Sequence, residues 1–262
     1  MKRILKIYIT LLHLNLSSLV AYRANFINSV ISSLGWGIFS IVFIILLTNR
    51  TSSIYGWSRD EMLLLTGFYN IIGGSFHVLF SRNFERFVAI IHKGDLDTLL
   101  VKPVDSQFLL SFWLCNYVGL FRILLGIILC GYMLIRIQGY IPIMIIPWTV
   151  LLSAAGVIIL YSLSYIMLTI TLWQTSLSNL VGLMYEINGM TRYPPEIFTK
   201  LKSFLVLFLV PLTLVVSVPV KSLLIKTTLQ DSFLLLFFAG VLLLCSRFFW
   251  HFALRFYTSA SS

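Results

Sequence analysis

Phe26 to Thr48 carries 23 residues without a single formal charge, and this fixes the solvent in which the chain folds. A bilayer core of about 30 Å needs roughly 20 apolar residues in a helix. Gln107–Ile135 and Ile141–Gln174 repeat the pattern, with Arg122 as their one charge. Lipid offers no hydrogen bonds, so these runs must satisfy their backbone internally as helices. The strict alternation of a membrane β-barrel is absent. Only 11% of the residues are charged and 59% are hydrophobic, which fits no ordinary soluble chain of 262 residues. The longest polar stretch, 81–106, is too short to bury a core of its own. The expected class is therefore an all-α polytopic membrane protein.

Further spans are expected at Met62–Phe80 and Phe233–Phe252. Residues 177–219 admit two readings. In one, Phe204–Val218 is the fifth crossing. In the other, 177–193 crosses and 194–219 dips in and returns, since Pro194, Pro195, Pro211 and Pro219 break regular helix. Residues 1–22 read as an interfacial amphipathic helix, with Lys6, Thr10, His13 and Ser17 on one face and Ile4, Ile7, Leu11 and Leu12 on the other. The first span is too long for a cleaved leader and is expected to stay in the membrane.

The net charge of +10 does not indicate nucleic acid, because the basic residues sit at span ends rather than on one face. They read as topology signals. One side gathers Arg23, Arg82, Arg86, Lys93, Lys102, Arg247 and Arg255; the other gathers Arg50, Arg59, Arg136, Lys221 and Lys226. The first group is larger, so that side and both termini are expected in the cytoplasm. Cys115, Cys130 and Cys245 lie inside apolar spans and read as core residues. No phosphate-binding loop, zinc-protease or serine-hydrolase motif occurs, and no Cys/His cluster has metal-ligand spacing. The chain is not expected to be an enzyme or to hold a metal.

The polar segment 82–104 is patterned. Phe84, Phe87, Ile90 and Ile91 recur at helical spacing, so residues 83–92 predict a short amphipathic helix. Lys93-Gly94 ends it, Asp95 is placed to cap a second turn over Leu96–Val101, and Lys102-Pro103 stops that turn. Two short helices parallel to the membrane would form a rigid bearing surface. Gly67, Gly73 and Gly74 in the second span suit close helix approach.

The sequence GDLDTLLVKP before the third span, YPPEIF near residue 195 and VPLTLVVSVP after it resemble the stand-alone permease subunit of ABC exporters of the ABC-2 type, over essentially the whole chain. The resemblance implies one transmembrane domain over 1–262 with six spans, a re-entrant hairpin at 194–219 after the fifth span, and a pore formed with a second copy or a related permease. It implies a bacterial plasma-membrane location. It also implies a separate ATPase subunit, which holds ATP and Mg, docked on the loop between spans two and three; this chain would hold no cofactor. Phe84, Phe87, Leu96 and Leu100 are then expected on the docking surface, with Arg82, Glu85, Arg86 and Asp97 setting register and Gly94, Asp95, Lys102 and Pro103 shaping the loop. Arg122, Glu186, Tyr193, Pro194 and Pro211 are expected along the translocation path or its gate, with Arg122 and Glu186 as an intramembrane pair. An ion-coupled secondary transporter is the alternative, and it would normally show internal repeats. A non-transporting membrane scaffold is another.

Overall fold

The computed structural model describes residues 10, 15, 23–49, 53–174, 179–200 and 205–257. The amphipathic helix expected over 1–22 lies outside them, apart from the helical residues Thr10 and Asn15. Five described helices are long and apolar enough to cross a bilayer: Arg23–Thr48, Arg59–Lys93, Gly119–Gln138, Ile143–Leu172 and Leu229–Arg255. The fold is an all-α polytopic membrane bundle.

Helix α1 (Arg23–Thr48) leads into a small hairpin, β1 (Ser53–Ile54) and β2 (Trp57–Ser58). Its two-residue turn, Tyr55-Gly56, has φ of 51° and 84°, the twist that closes a tight hairpin. Helix α2 (Arg59–Phe76) starts on a reciprocal cap: Glu61 N donates to Ser58 Oγ at 3.3 Å and Ser58 N to Glu61 Oε2 at 2.9 Å.

The second span does not stop at Phe80 as the hydropathy suggests. A π-helical turn, His77–Ser81, carries α2 straight into α3 (Arg82–Lys93). The result is one rod of 35 residues, about 52 Å long at 1.5 Å per residue. The expected amphipathic helix is therefore an extension of span two, not a separate element. Gly94 ends it at φ 74°, a conformation glycine adopts without strain. Helix α4 (Leu96–Leu100) follows; Asp95 precedes it, but its side chain makes no cap bond.

The third apolar run is also not one helix. It divides into α5 (Ser106–Phe112) and α6 (Gly119–Gln138), with irregular backbone between them. Such backbone must find partners inside the protein. Asn83 supplies two: its amide donates to Leu114 O at 2.7 Å and accepts from Leu114 N at 2.7 Å. Asn116 N donates to Val78 O, inside the π-helical turn, at 2.9 Å. The widened turn in span two and the break in span three thus satisfy each other.

Helix α7 (Ile146–Thr169), extended by short 3-10 turns at both ends, is followed by α8 (Leu180–Gly189), the 3-10 turns Met190–Arg192 and Pro195–Lys200, α9 (Leu205–Leu223) and α10 (Leu229–Arg255). Pro219 does not close the late apolar run; α9 continues through it to Leu223.

Helices α2 and α6 meet along glycines seven residues apart, two turns of one helix face. A Cβ placed on Gly126 would stand 2.6 Å from Gly67 O, and one on Gly119 would stand 2.7 Å from Gly74 O. Only hydrogen fits at these positions, and the backbones touch.

Ion pairs Asp60–Arg136 (3.3 Å), Glu61–Lys226 (2.5 Å) and Glu196–Lys221 (3.3 Å) cluster at the hairpin end of the bundle. Asp105–Arg247 lies at the α3–α4 end. Trp57 Nε1 joins the first cluster by donating to Glu196 Oε2 at 3.0 Å. The described members of the two groups of basic residues separated by the sequence pattern thus fall at opposite ends, Arg50 lying outside the described residues.

Candidate functional site

Two features stand on different faces of the long α2–α3 rod: an aromatic wedge and a polar cavity.

The wedge holds α3 against α7 and α10. Phe84 lies 5.9 Å from Tyr161 and 6.1 Å from Tyr165, and Phe87 lies 5.8 Å from both Tyr165 and Trp250. All but one of its polar tips are paired, the buried Tyr165 hydroxyl having no hydrogen-bond partner among the described residues. Gln107 Nε2 donates to Tyr161 Oη at 3.0 Å, Ser111 Oγ lies 2.9 Å from the same oxygen, and Trp250 Nε1 donates to Ser106 Oγ at 3.0 Å. Phe84, Phe87 and Leu96 are fully buried here, and Leu100 is half-buried. These apolar residues were expected on a docking surface. Instead the amphipathic face of α3 is turned into the chain's own core, where each aromatic side chain removes a large area from solvent or lipid headgroups.

What α3 and α4 leave outside is a cup of about 330 Å³, lined by Arg86, Ile90, Lys93, Asp95, Thr98 and Lys102. Lys93, Asp95, Lys102 and Pro103 are exposed, and Val101 beside them is 84% exposed. Arg86 and Lys102 both lie 4.8 Å from the Trp113 ring centre, so one aromatic ring holds two of the cationic groups. Asp97 and Arg82 are half-buried.

Asp105, in the loop before α5, pairs with Arg247 and accepts from Phe108 N at 2.9 Å. The Arg247 guanidinium holds the Asp105 carboxyl below the usual carboxylate range.

The polar cavity, about 490 Å³, opens between α1, α2, α6 and α8 and is lined by Trp36, Tyr69, His77, Glu85, Arg122, Tyr185, Glu186 and Arg192 among others. Arg122 forms its floor and is 8% exposed. Arg122 Nε donates to Asn70 Oδ1 at 2.9 Å, and Asn70 Nδ2 donates to Ser40 Oγ at 3.1 Å and Thr66 O at 2.9 Å. The guanidinium carbon lies 4.8 Å from the Tyr69 ring centre, and a Cβ on Gly73 would meet Nη2 at 3.2 Å. Gly73 thus serves the arginine, whereas Gly67 and Gly74 serve the helix contact.

Tyr185 ties the cavity wall to the rod. Its ring stacks on His77 at 5.4 Å, and its hydroxyl donates to Glu85 Oε1 at 2.8 Å. Glu85 thus belongs to the rim of the cavity as well as to the α3 segment.

Arg122 and Glu186 do share the cavity, but no ion pair joins them among the described residues. Tyr193 lies beneath the Arg192 guanidinium at 5.0 Å. Tyr193, Pro194 and Pro211 are not among the cavity's lining residues. Sequence reasoning missed Asn70, His77 and Tyr185. The lone asparagine inside an apolar run was the one available signal for the first.

No curated protein and no solved structure matches this chain. Residues 34–261 match the family model described as ABC-2 family transporter protein, a span that takes in both faces of the rod, so the chain belongs to the ABC-2 transporter family.

Proposed function

We propose that this chain is the membrane permease of an ATP-driven exporter, paired with a second permease and driven by a separate ATPase that holds ATP and Mg. Family membership supplies the transport role. The continuity of α2 with α3 carries the coupling reading, because one rod bears the exposed cup at its end and the polar cavity along its side. A segment wedged by aromatic packing moves as a body rather than deforming.

The docking surface is the cup and its rim. Arg86, Gly94, Asp95, Asp97, Lys102 and Pro103 keep the roles expected of them, Lys93 and Val101 join them, and Phe84, Phe87, Leu96 and Leu100 brace the cup from within. The α3–α4 end faces the cytoplasm of a bacterial cell, since it bears the larger basic group. Helix α8 with the turn after it makes the remaining crossing, and 194–219 forms the re-entrant element on the outer side, held by Glu196 to Trp57 and Lys221. The cavity over Arg122 is the half-path that the second permease completes.

The test is co-purification with the ATPase. Charge reversal at Lys93 and Lys102 together with Val101→Asp should abolish association and stimulated ATP hydrolysis while leaving the thermal midpoint in place. Undiminished association, or labelling of a cysteine at position 101 from outside the cell, would sink the reading.

A further inference from the structure

We infer that the cavity over Arg122 binds a zwitterionic head group, an oxyanion seated on Arg122 and Arg192 with an ammonium at Glu186, belonging to a membrane amphiphile. As a statement about cargo this rests on the proposed transport role; as a statement about binding it does not.

The charges in the cavity are not spent on one another. The ion pairs among the described residues all lie at the two ends of the bundle, none inside the cavity. Arg122 is almost fully buried, yet among the described residues only its Nε is bonded, to Asn70, and both Nη nitrogens are left to the cavity. Arg192 buries its Nε without a hydrogen-bond partner. Glu186 is exposed on the same lining, and Glu85 beside it is bonded by the Tyr185 hydroxyl. Unpaired guanidinium donors in an apolar bundle are costly, so the site is built to receive acceptors.

The sign of the ligand follows from the whole lining. A purely anionic head group suits the arginines but is repelled by Glu85 and Glu186. A purely cationic one suits the glutamates and is repelled by the arginines. A head group with both signs satisfies all of them. Guanidinium forks match the tetrahedral oxygens of a phosphate ester. An ammonium finds the Glu186 carboxylate and the face of Trp36. Depth orders the two: Arg122 is at the floor, and Trp36 and Glu186 are at the exposed rim. A cavity of about 490 Å³ suits a head group with its linker. The surrounding helices are apolar, so acyl chains remain in lipid.

The experiment uses the full chain in maltoside detergent and follows tryptophan fluorescence as short-chain probes are added. The probes are dihexanoyl phosphatidylethanolamine, dihexanoyl phosphatidylglycerol, hexyltrimethylammonium and free phosphoethanolamine. The zwitterionic lipid should bind at least tenfold tighter than each of the other three. Glu186→Gln should erase its advantage over the anionic lipid, and Arg192→Gln its advantage over the cation. Equal binding of all probes, or a preference that neither substitution moves, overturns the inference. Tight binding of free phosphoethanolamine overturns the amphiphile assignment. Loss of dimer in Glu186→Gln with unchanged probe selectivity assigns the carboxylate to the second copy and overturns the site. Probe binding needs no ATPase, so lost partner association with retained selectivity would count against the transport reading alone.

Discussion

Replacing Gly126 with alanine should separate the two central helices, and replacing Gly131 on the same helix should not. Both substitutions relieve the flexibility of glycine within α6, a gain of about 0.5–1 kcal/mol that the two share. They differ in what the new methyl meets. At Gly131 nothing lies within 4 Å. At Gly126 the Cβ would stand 2.6 Å from Gly67 O, 2.8 Å from Ile71 Cγ1 and 3.0 Å from Ile71 N, where ordinary contact begins near 3.4 Å. Two of the three atoms are backbone, so no rotamer change relieves the clash and the helices must part by most of an ångström. Overpacking of this kind costs about 1–3 kcal/mol. At about 2–4 °C per kcal/mol for a chain of this size, Gly126→Ala should melt a few degrees to about 12 °C below Gly131→Ala in detergent. The contrast has an internal control at Gly67, where the nearest obstacle is the side-chain sulfur of Cys130, at 2.5 Å. Cys130→Ala should therefore recover much of the loss in Gly67→Ala and none of that in Gly126→Ala. Equal melting of Gly126→Ala and Gly131→Ala would refute backbone contact between α2 and α6.

Three further outcomes follow from named contacts. Asn83→Ala leaves Leu114 N and O without partners, and each orphaned group costs about 1–3 kcal/mol, so its thermal midpoint should fall well below that of a surface control such as Ala89→Ser. Tyr185→Phe removes only the hydroxyl bonded to Glu85; in the proposed complex with an ATPase, ATP hydrolysis should persist while transport per ATP drops, and unchanged coupling would dismiss the link. Asp105 has its folded pKa below its unfolded one, so its stabilisation is present above about pH 4 and fades as pH falls below that. The difference in thermal midpoint between wild type and Asp105→Asn should therefore be flat from pH 7 to 5 and shrink at lower pH. It should be small throughout, because both side chains are more than a third exposed.

The uncharged runs made the class and most of the helices legible, and basic residues at span ends separated the two ends of the bundle among the described residues. Gly94 was legible because a left-handed helix stop has one preferred residue. The division of span three was not, because Trp113 to Val118 is as free of charge as its flanks and its stabilising partner, Asn83, is some thirty residues away. Periodicity at Phe84 and Phe87 established that α3 has an apolar face but not what covers it. A docking face and a core face have the same spacing, and only the tertiary positions of Tyr161, Tyr165 and Trp250 distinguish them. Arg122 and Glu186 stood out by their expense in lipid, and they do share a cavity, but the arginine's Nε is bonded to Asn70 rather than to the glutamate.

The π-helical turn at His77–Ser81 connects these observations. It sits between the cavity residues of α2 and the wedge residues of α3, and its Val78 carbonyl is bonded to Asn116 in the break of span three. Single π-helical turns of this kind are rare inside α-helices and are found mostly at functional sites. On the proposed coupling reading, a push on the cup reaches this turn along the twelve residues of α3 that the aromatic wedge braces. From there it has two exits, the Asn83–Leu114 clasp toward α6 and the Glu85–Tyr185 bond toward α8. Arg122 lies at the start of α6 and Glu186 on α8, so on the proposed coupling reading one motion of the rod would change the distance between the two charges that frame the cavity. On that reading a rigid connection at either exit alone would tilt the cavity, whereas both together would open or close it.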